Sequence, residues 1–182
     1  MNIFFAACCT SVLFLSPPAW SDQAVLIGGA IRFHGRVVAQ PCSIAPGDET
    51  LLVDFKQLSI RDLYLNKQIR PVDFTLHLIN CATSVYHSVT VTFSGDRSQA
   101  LPASLRVRSN ASGGTAGIAI DLRLGNGEPV TLDKPTPMTA MTSGRMQLGF
   151  QALVRVEPDA LRAHNLQFGP FTSMARYTLN YQ

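Results

Sequence analysis

From residue 72 onward, apolar side chains recur at every second position, and that period of two is the strongest constraint on the fold. Val72, Phe74, Leu76 and Leu78 share one face of a segment whose other face carries Asp73, Thr75 and His77. Val89, Val91 and Phe93 repeat the pattern, followed by Ile118, Ile120, Leu122 and Leu124, then by the even positions from Met146 to Val156. The chain closes on Tyr177, Leu179 and Tyr181. Successive side chains of a strand point to opposite faces, so each run predicts a strand with one buried side. A shorter strand is expected at Leu51–Phe55, after the polar break Pro46-Gly47-Asp48-Glu49. Gly125-Asn126-Gly127 predicts a hairpin turn. Only Phe55–Leu65 has spacing compatible with a short helix, which Pro71 is expected to end.

Many short strands, frequent turn signals and almost no helix predict an all-β antiparallel sandwich, immunoglobulin-like in type. No repeat or linker divides the chain, and 182 residues with 46% hydrophobic content suffice for one core. An ordinary immunoglobulin domain carries a Trp against its disulfide. Here the single Trp is Trp20, upstream of the strands, which excludes that family.

The N-terminus is expected to be a leader. Ile3–Leu15 is an uncharged apolar run of 13 residues, followed by Pro17-Pro18 and the small residues Ala19 and Ser21 around Trp20. That length suits a secretory signal and is too short for a membrane-spanning helix. Residues 1–21 are therefore expected to be cleaved, with the mature chain starting near Asp22. Only seven residues precede Cys8, which disfavours a lipid-anchored start. Of the four cysteines, Cys8 and Cys9 go with the leader, and Cys42 and Cys81 remain in an exported chain. One structural disulfide is expected between them, closing a loop whose entropy contributes about 4 kcal/mol.

Motifs for catalysis are absent from the sequence. There is no H-E-x-x-H, G-x-S-x-G, Ser-x-x-Lys or phosphate-binding glycine loop. The four histidines, at 34, 77, 87 and 164, are scattered, and His34 and His77 fall on outward strand faces. His77 lies near Cys81, but that cysteine is committed to the disulfide, so no metal site is expected. Asp121, Glu128, Asp133, Glu157 and Asp159 occupy outward or turn positions. A net charge of +3 from dispersed basic residues does not make a nucleic-acid surface. Asn110-Ala111-Ser112 matches a glycosylation sequon. The chain is read as a non-enzyme without cofactors.

The stretch preceding Cys42, "IGGAIRFHGRVVAQPCSI", alternates like a strand through Ile27, Gly29, Ile31, Phe33, Gly35 and Val37. Taken with the Cys42/Cys81 pair, the "GIAIDLRL" hairpin and the ending "GPFTSMARYTLNYQ", it resembles the type 1 fimbrial subunits, or pilins, of the chaperone–usher pathway. Tyr181 is penultimate and Gly169 is fourteenth from the end, as in that family's C-terminal signature. The resemblance covers the whole mature chain, except that Lys56–Gln68 matches no family motif.

The resemblance implies an incomplete immunoglobulin-like sandwich lacking its last strand, with an N-terminal donor-strand extension. Residues 22–38 would be that extension and 39–182 the pilin domain. Ile27, Gly29, Ile31, Phe33, Gly35 and Val37 would form the donor strand, with Ile31 and Phe33 as the main anchors. Gly169, Tyr177, Leu179, Tyr181 and the terminal Gln182 would border the groove that chaperone and subunit contact. The implied partners are a periplasmic pilus chaperone, an outer-membrane usher and neighbouring fimbrial subunits. The implied destination is the bacterial surface, where the fibre serves adhesion. Two other functions fit parts of the pattern: a fibre-tip or minor adhesin binding a host glycan, and a self-complete secreted β-sandwich with a binding role. The chain is short for the first, and the second predicts a first strand that pairs within its own sheet.

Overall fold

The computed structural model describes residues 29–36, 41–109 and 115–182. The predicted leader, Ile27, Val37 and the Asn110 sequon lie outside the described residues. The chain divides into two units, Met1–Val37 and Val38–Gln182. In the first, residues 29–36 have no regular secondary structure and are exposed throughout.

The second unit is an antiparallel sandwich of immunoglobulin type. Its elements are β1 (Ser43–Ile44), α1 (Ile60–Asn66), β2 (Val72–Cys81), β3 (Ser88–Gly95), β4 (Leu105–Ser109), β5 (Thr115–Leu124), β6 (Thr139–Ala140), β7 (Gly144–Val156), α2 (Pro158–Ala163), β8 (Phe171–Thr172) and β9 (Ala175–Tyr181). One sheet runs β1-β2-β7-β5-β4-β8 and the other β6-β3-β9. The long central strands are the most regularly alternating ones. Leu76, Leu78, Leu148, Phe150, Ile118 and Ile120 turn inward from the large sheet to meet Val89, Val91 and Phe93 from the small one. Phe93 sets its ring edge-on against Phe150 at 4.9 Å and against Phe74 at 6.5 Å. Such aromatic geometry adds to the burial itself.

Cys42 and Cys81 are bonded to each other, joining the start of β1 to the end of β2. Both are nearly inaccessible. The disulfide fixes the point where the chain enters the sandwich, an entry that the bond from Ala82 N–H to the Pro41 carbonyl reinforces (2.7 Å).

Several local expectations need correcting. Leu51–Phe55 forms no strand: Leu51, Val53 and Phe55 alternate inward, yet no ladder partner exists for them among the described residues. The Gly125-Asn126-Gly127 turn forms, with Gly127 φ at 89°. Its return arm, however, pairs with β5 only at the Arg123–Pro129 bridge, through the Leu124 N–H to the Glu128 carbonyl and the Val130 N–H to the Leu122 carbonyl. The helix α1 stops at Lys67, in the left-handed conformation (φ 63°), and not at Pro71. Ser59 caps its other end by accepting from the Asp62 N–H. The second helix, α2, begins with Pro158, the residue best suited to a first helical position. His77 lies on the outward face as expected, its side chain 46% exposed, and there its ring also meets Asp48.

Candidate functional site: an open strand edge and an apolar cleft

The small sheet ends at β9, which pairs with β3 on one side only. Ser88 and Gln182 exchange two backbone bonds, each 2.9 Å, which sets the phase of the β3–β9 ladder. In an antiparallel pair, bonded and non-bonded residue pairs alternate. The amides of Arg176, Thr178 and Asn180 therefore point at β3, and those of Tyr177, Leu179 and Tyr181 point at the open edge. The same three residues turn their side chains towards the core, where they remain half-buried.

The segment 51–58 follows Asp48, whose carbonyl accepts a hydrogen bond from the Tyr177 hydroxyl of β9. None of its backbone groups bonds to another backbone group among the described residues; only the Lys56 N–H is engaged, by the Asp54 side chain (2.8 Å). Its inward residues Leu51, Val53, Phe55 and Leu58 are partly buried. Between this segment and residues 166–173 lies a cleft of about 880 Å³. Leu63 of α1 and Ile118 and Ile120 of β5 line it, and Phe55 faces Phe171 with ring centroids 6.3 Å apart. Leu52 and Phe168 also line it and are 91% and 75% exposed. The unpaired edge of β9 and the apolar cleft beside the unpaired segment 51–58 are each surfaces that a further strand would cover.

Of the predicted C-terminal residues, only Gly169 is among those lining this cleft. Gly169 lines the cleft with φ at 119°, a conformation closed to most side chains. Tyr177, Leu179 and Tyr181 stand along β9, with Tyr181 6.3 Å from the Tyr86 ring. Burial raises the Tyr181 phenol above its ordinary pKa. Burial also raises that of Tyr177, with the charges of Asp48 and Glu49 adding to it. The Gln182 carbonyl accepts from the His87 and Ser88 amides at 2.7 and 2.9 Å, which ties the chain end to β3. Of the proposed donor residues, Gly29, Ile31, Phe33 and Gly35 are all exposed, Ile31 and Phe33 by 78% and 90%.

Sequence reasoning missed the opposite margin and the role of Asp48. The alternation of Leu51, Val53 and Phe55 was the available signal; it specifies a strand face but not whether that strand has neighbours. Asp48 Oδ2 accepts from the His77 backbone N–H at 2.5 Å and from His77 Nδ1 at 2.9 Å. The backbone hydrogen bond, above all, holds the Asp48 carboxyl below its usual pKa. Asp121 and Glu157 are likewise engaged: Asp121 by Arg155 at 2.5 Å and by Ser104, Glu157 by Ser98 at 2.6 Å.

Comparison with known proteins agrees with this architecture. The fimbrial protein family model matches residues 31–182. The minor fimbrial subunit PmfF of Proteus mirabilis is 35% identical over 181 residues, covering 100% of this chain and 99% of the relative. The fimbrial adapter PapK of Escherichia coli is 30% identical, covering 95% and 98% of the two chains. Among solved structures, the P pilus rod subunit PapA superposes with a TM-score of 0.67 at 24% identity, over 79% of this chain and all of that one. A chain from a chaperone–usher pilus gives a TM-score of 0.66 at 25% identity, over 85% and 96%. The chain belongs to the fimbrial protein family and is a structural subunit of a bacterial surface fimbria.

Proposed function

We propose that this subunit polymerises by donor-strand exchange: its cleft receives the N-terminal extension of a neighbouring fimbrial subunit, and its own extension completes the next one. The observation that carries this reading is the open edge of β9 at Tyr177, Leu179 and Tyr181, together with the apolar cleft beside residues 51–58, both without backbone partners among the described residues. An inserted strand satisfies backbone groups on both margins and lowers alternate side chains towards Leu63, Ile118 and Ile120. The donor is the segment 22–38, acting through Ile27, Ile31, Phe33 and Val37, with Gly29 and Gly35 between the larger residues. Burying each large apolar side chain contributes about 1.5–3 kcal/mol. Ile31 and Phe33, now exposed, have the most to gain.

An open apolar cleft is an aggregation hazard before assembly. A periplasmic chaperone covers it first, contacting β9 and the Gln182 carboxylate, and an outer-membrane usher passes the subunit to the fibre. The leader, residues 1–21, is removed on export, and 39–182 is the pilin domain. The subunit acts by assembly and contributes to adhesion through the fibre, without catalysis or a cofactor.

The test is thermal unfolding of the mature chain with and without a synthetic Asp22–Val38 peptide, with a Phe33→Asp peptide as control. The expected result is a rise in midpoint of more than about 10 °C with the native peptide only, as several kcal/mol of added stability would give. Equal midpoints with the two peptides would refute the reading.

A further inference from the structure

A polar chain joins the two sheets across the cleft side of the molecule. It starts in the large sheet at His77 of β2, whose backbone N–H and Nδ1 both meet Asp48 Oδ2. Asp48 stands three residues before the 51–58 margin. Its carbonyl oxygen accepts a hydrogen bond from the Tyr177 hydroxyl at 2.8 Å, and Tyr177 belongs to β9 of the small sheet. One part-buried network therefore connects β2, the approach to the 51–58 cleft margin, and the open-edged strand β9.

We infer that Tyr177, acting through Asp48 and His77, is a positioning residue that holds the 51–58 margin of the cleft and the open edge of β9 at the separation an incoming strand requires. The inference rests on the donor-strand reading above. Residues 51–58 have no backbone ladder among the described residues, so side-chain burial and the Asp48 tether define their position there. A margin held in place spares the incoming strand the cost of ordering it, and the apparent affinity rises with the fraction of molecules already competent. Tyr181 provides an internal control. It lies on the same strand and face, but its hydroxyl has no hydrogen-bond partner among the described residues.

The experiment follows binding of a fluorescent Asp22–Val38 peptide to the dilute mature chain. Tyr177→Phe is expected to slow association about fivefold, the population factor that one net hydrogen bond provides, with dissociation unchanged. Tyr181→Phe is expected to bind at the wild-type rate. Wild-type association in Tyr177→Phe, or equal slowing in both variants, overturns the inference. If the wild-type chain binds no peptide, the donor-strand reading fails, and hydrogen exchange in the free chain still decides the positioning role. The Asp48 and His77 amides then exchange about fivefold faster in Tyr177→Phe but not in Tyr181→Phe. Equal exchange in the three proteins overturns it.

Discussion

Strands β3 and β9 lie side by side in one sheet, in the register Val89–Tyr181, Val91–Leu179 and Phe93–Tyr177. Their inward faces are both apolar, yet their fates differ. Val89, Val91 and Phe93 are exposed by 1–3%, whereas Tyr177, Leu179 and Tyr181 are only half-buried. Residue type does not account for this; neighbours do. β3 has β9 on one side and, on the other, β6 and the Thr92–Pro135 bridge. Among the described residues β9 has no strand beyond its outer edge. An inward face is sealed only when strands lie on both sides, so β9 stays half-buried where β3 does not.

Four perturbations would break or sharpen that contrast. The largest effect is expected at Phe93→Ala, which empties the meeting point of the Phe74 and Phe150 rings and costs about 3–5 kcal/mol in denaturant unfolding. Replacing Cys42 and Cys81 together by Ala should cost about 2–5 kcal/mol, read the same way, because β1 then loses its covalent tie to β2. Leu179→Ala, opposite the fully buried Val91, should cost only about 1–2 kcal/mol in the free chain, as expected of a half-buried side chain. In the donor-bound form the same change should cost about twice as much, and an equal cost in both forms would mean that β9 gains no neighbour.

The smallest effect is a pH dependence at Asp48. Its carboxyl pKa is lowered in the folded chain from 3.8, chiefly by the His77 backbone hydrogen bond. A depressed carboxyl pKa stabilises the fold above the unfolded value, and that stabilisation is lost as pH falls through the folded value. Asp48→Asn should therefore flatten the acid limb below pH 3.8 in urea titrations at stepped pH, the smallest change of the four.

The sandwich was legible because β2, β3, β5 and β7 are long, and a period of two maintained over eight or more residues admits little else. The β9 face and the disulfide partners were legible for the same kind of reason: periodicity, and a count of two cysteines in an exported chain. The 51–58 margin was only half legible. Its alternation marks an inward face, but backbone pairing is a property of neighbours, and no local pattern records that a neighbour is missing. Lys56–Gln68 matched no motif because it divides between that margin and the short helix α1, whose single buried residue, Leu63, lines the cleft. Asp48 looked like an ordinary turn residue, and its two long-range contacts, to His77 and Tyr177, depend on tertiary packing.

Native-state hydrogen exchange at the amides of Tyr177, Leu179 and Tyr181 tests the central claim most directly. In the free subunit these three should exchange rapidly, while Arg176, Thr178 and Asn180, bonded to β3, are protected. In the assembled fibre all six should be protected, because a donated strand then occupies the open edge. Protection of Tyr177, Leu179 and Tyr181 in the free subunit, or their continued rapid exchange in the fibre, would contradict the account.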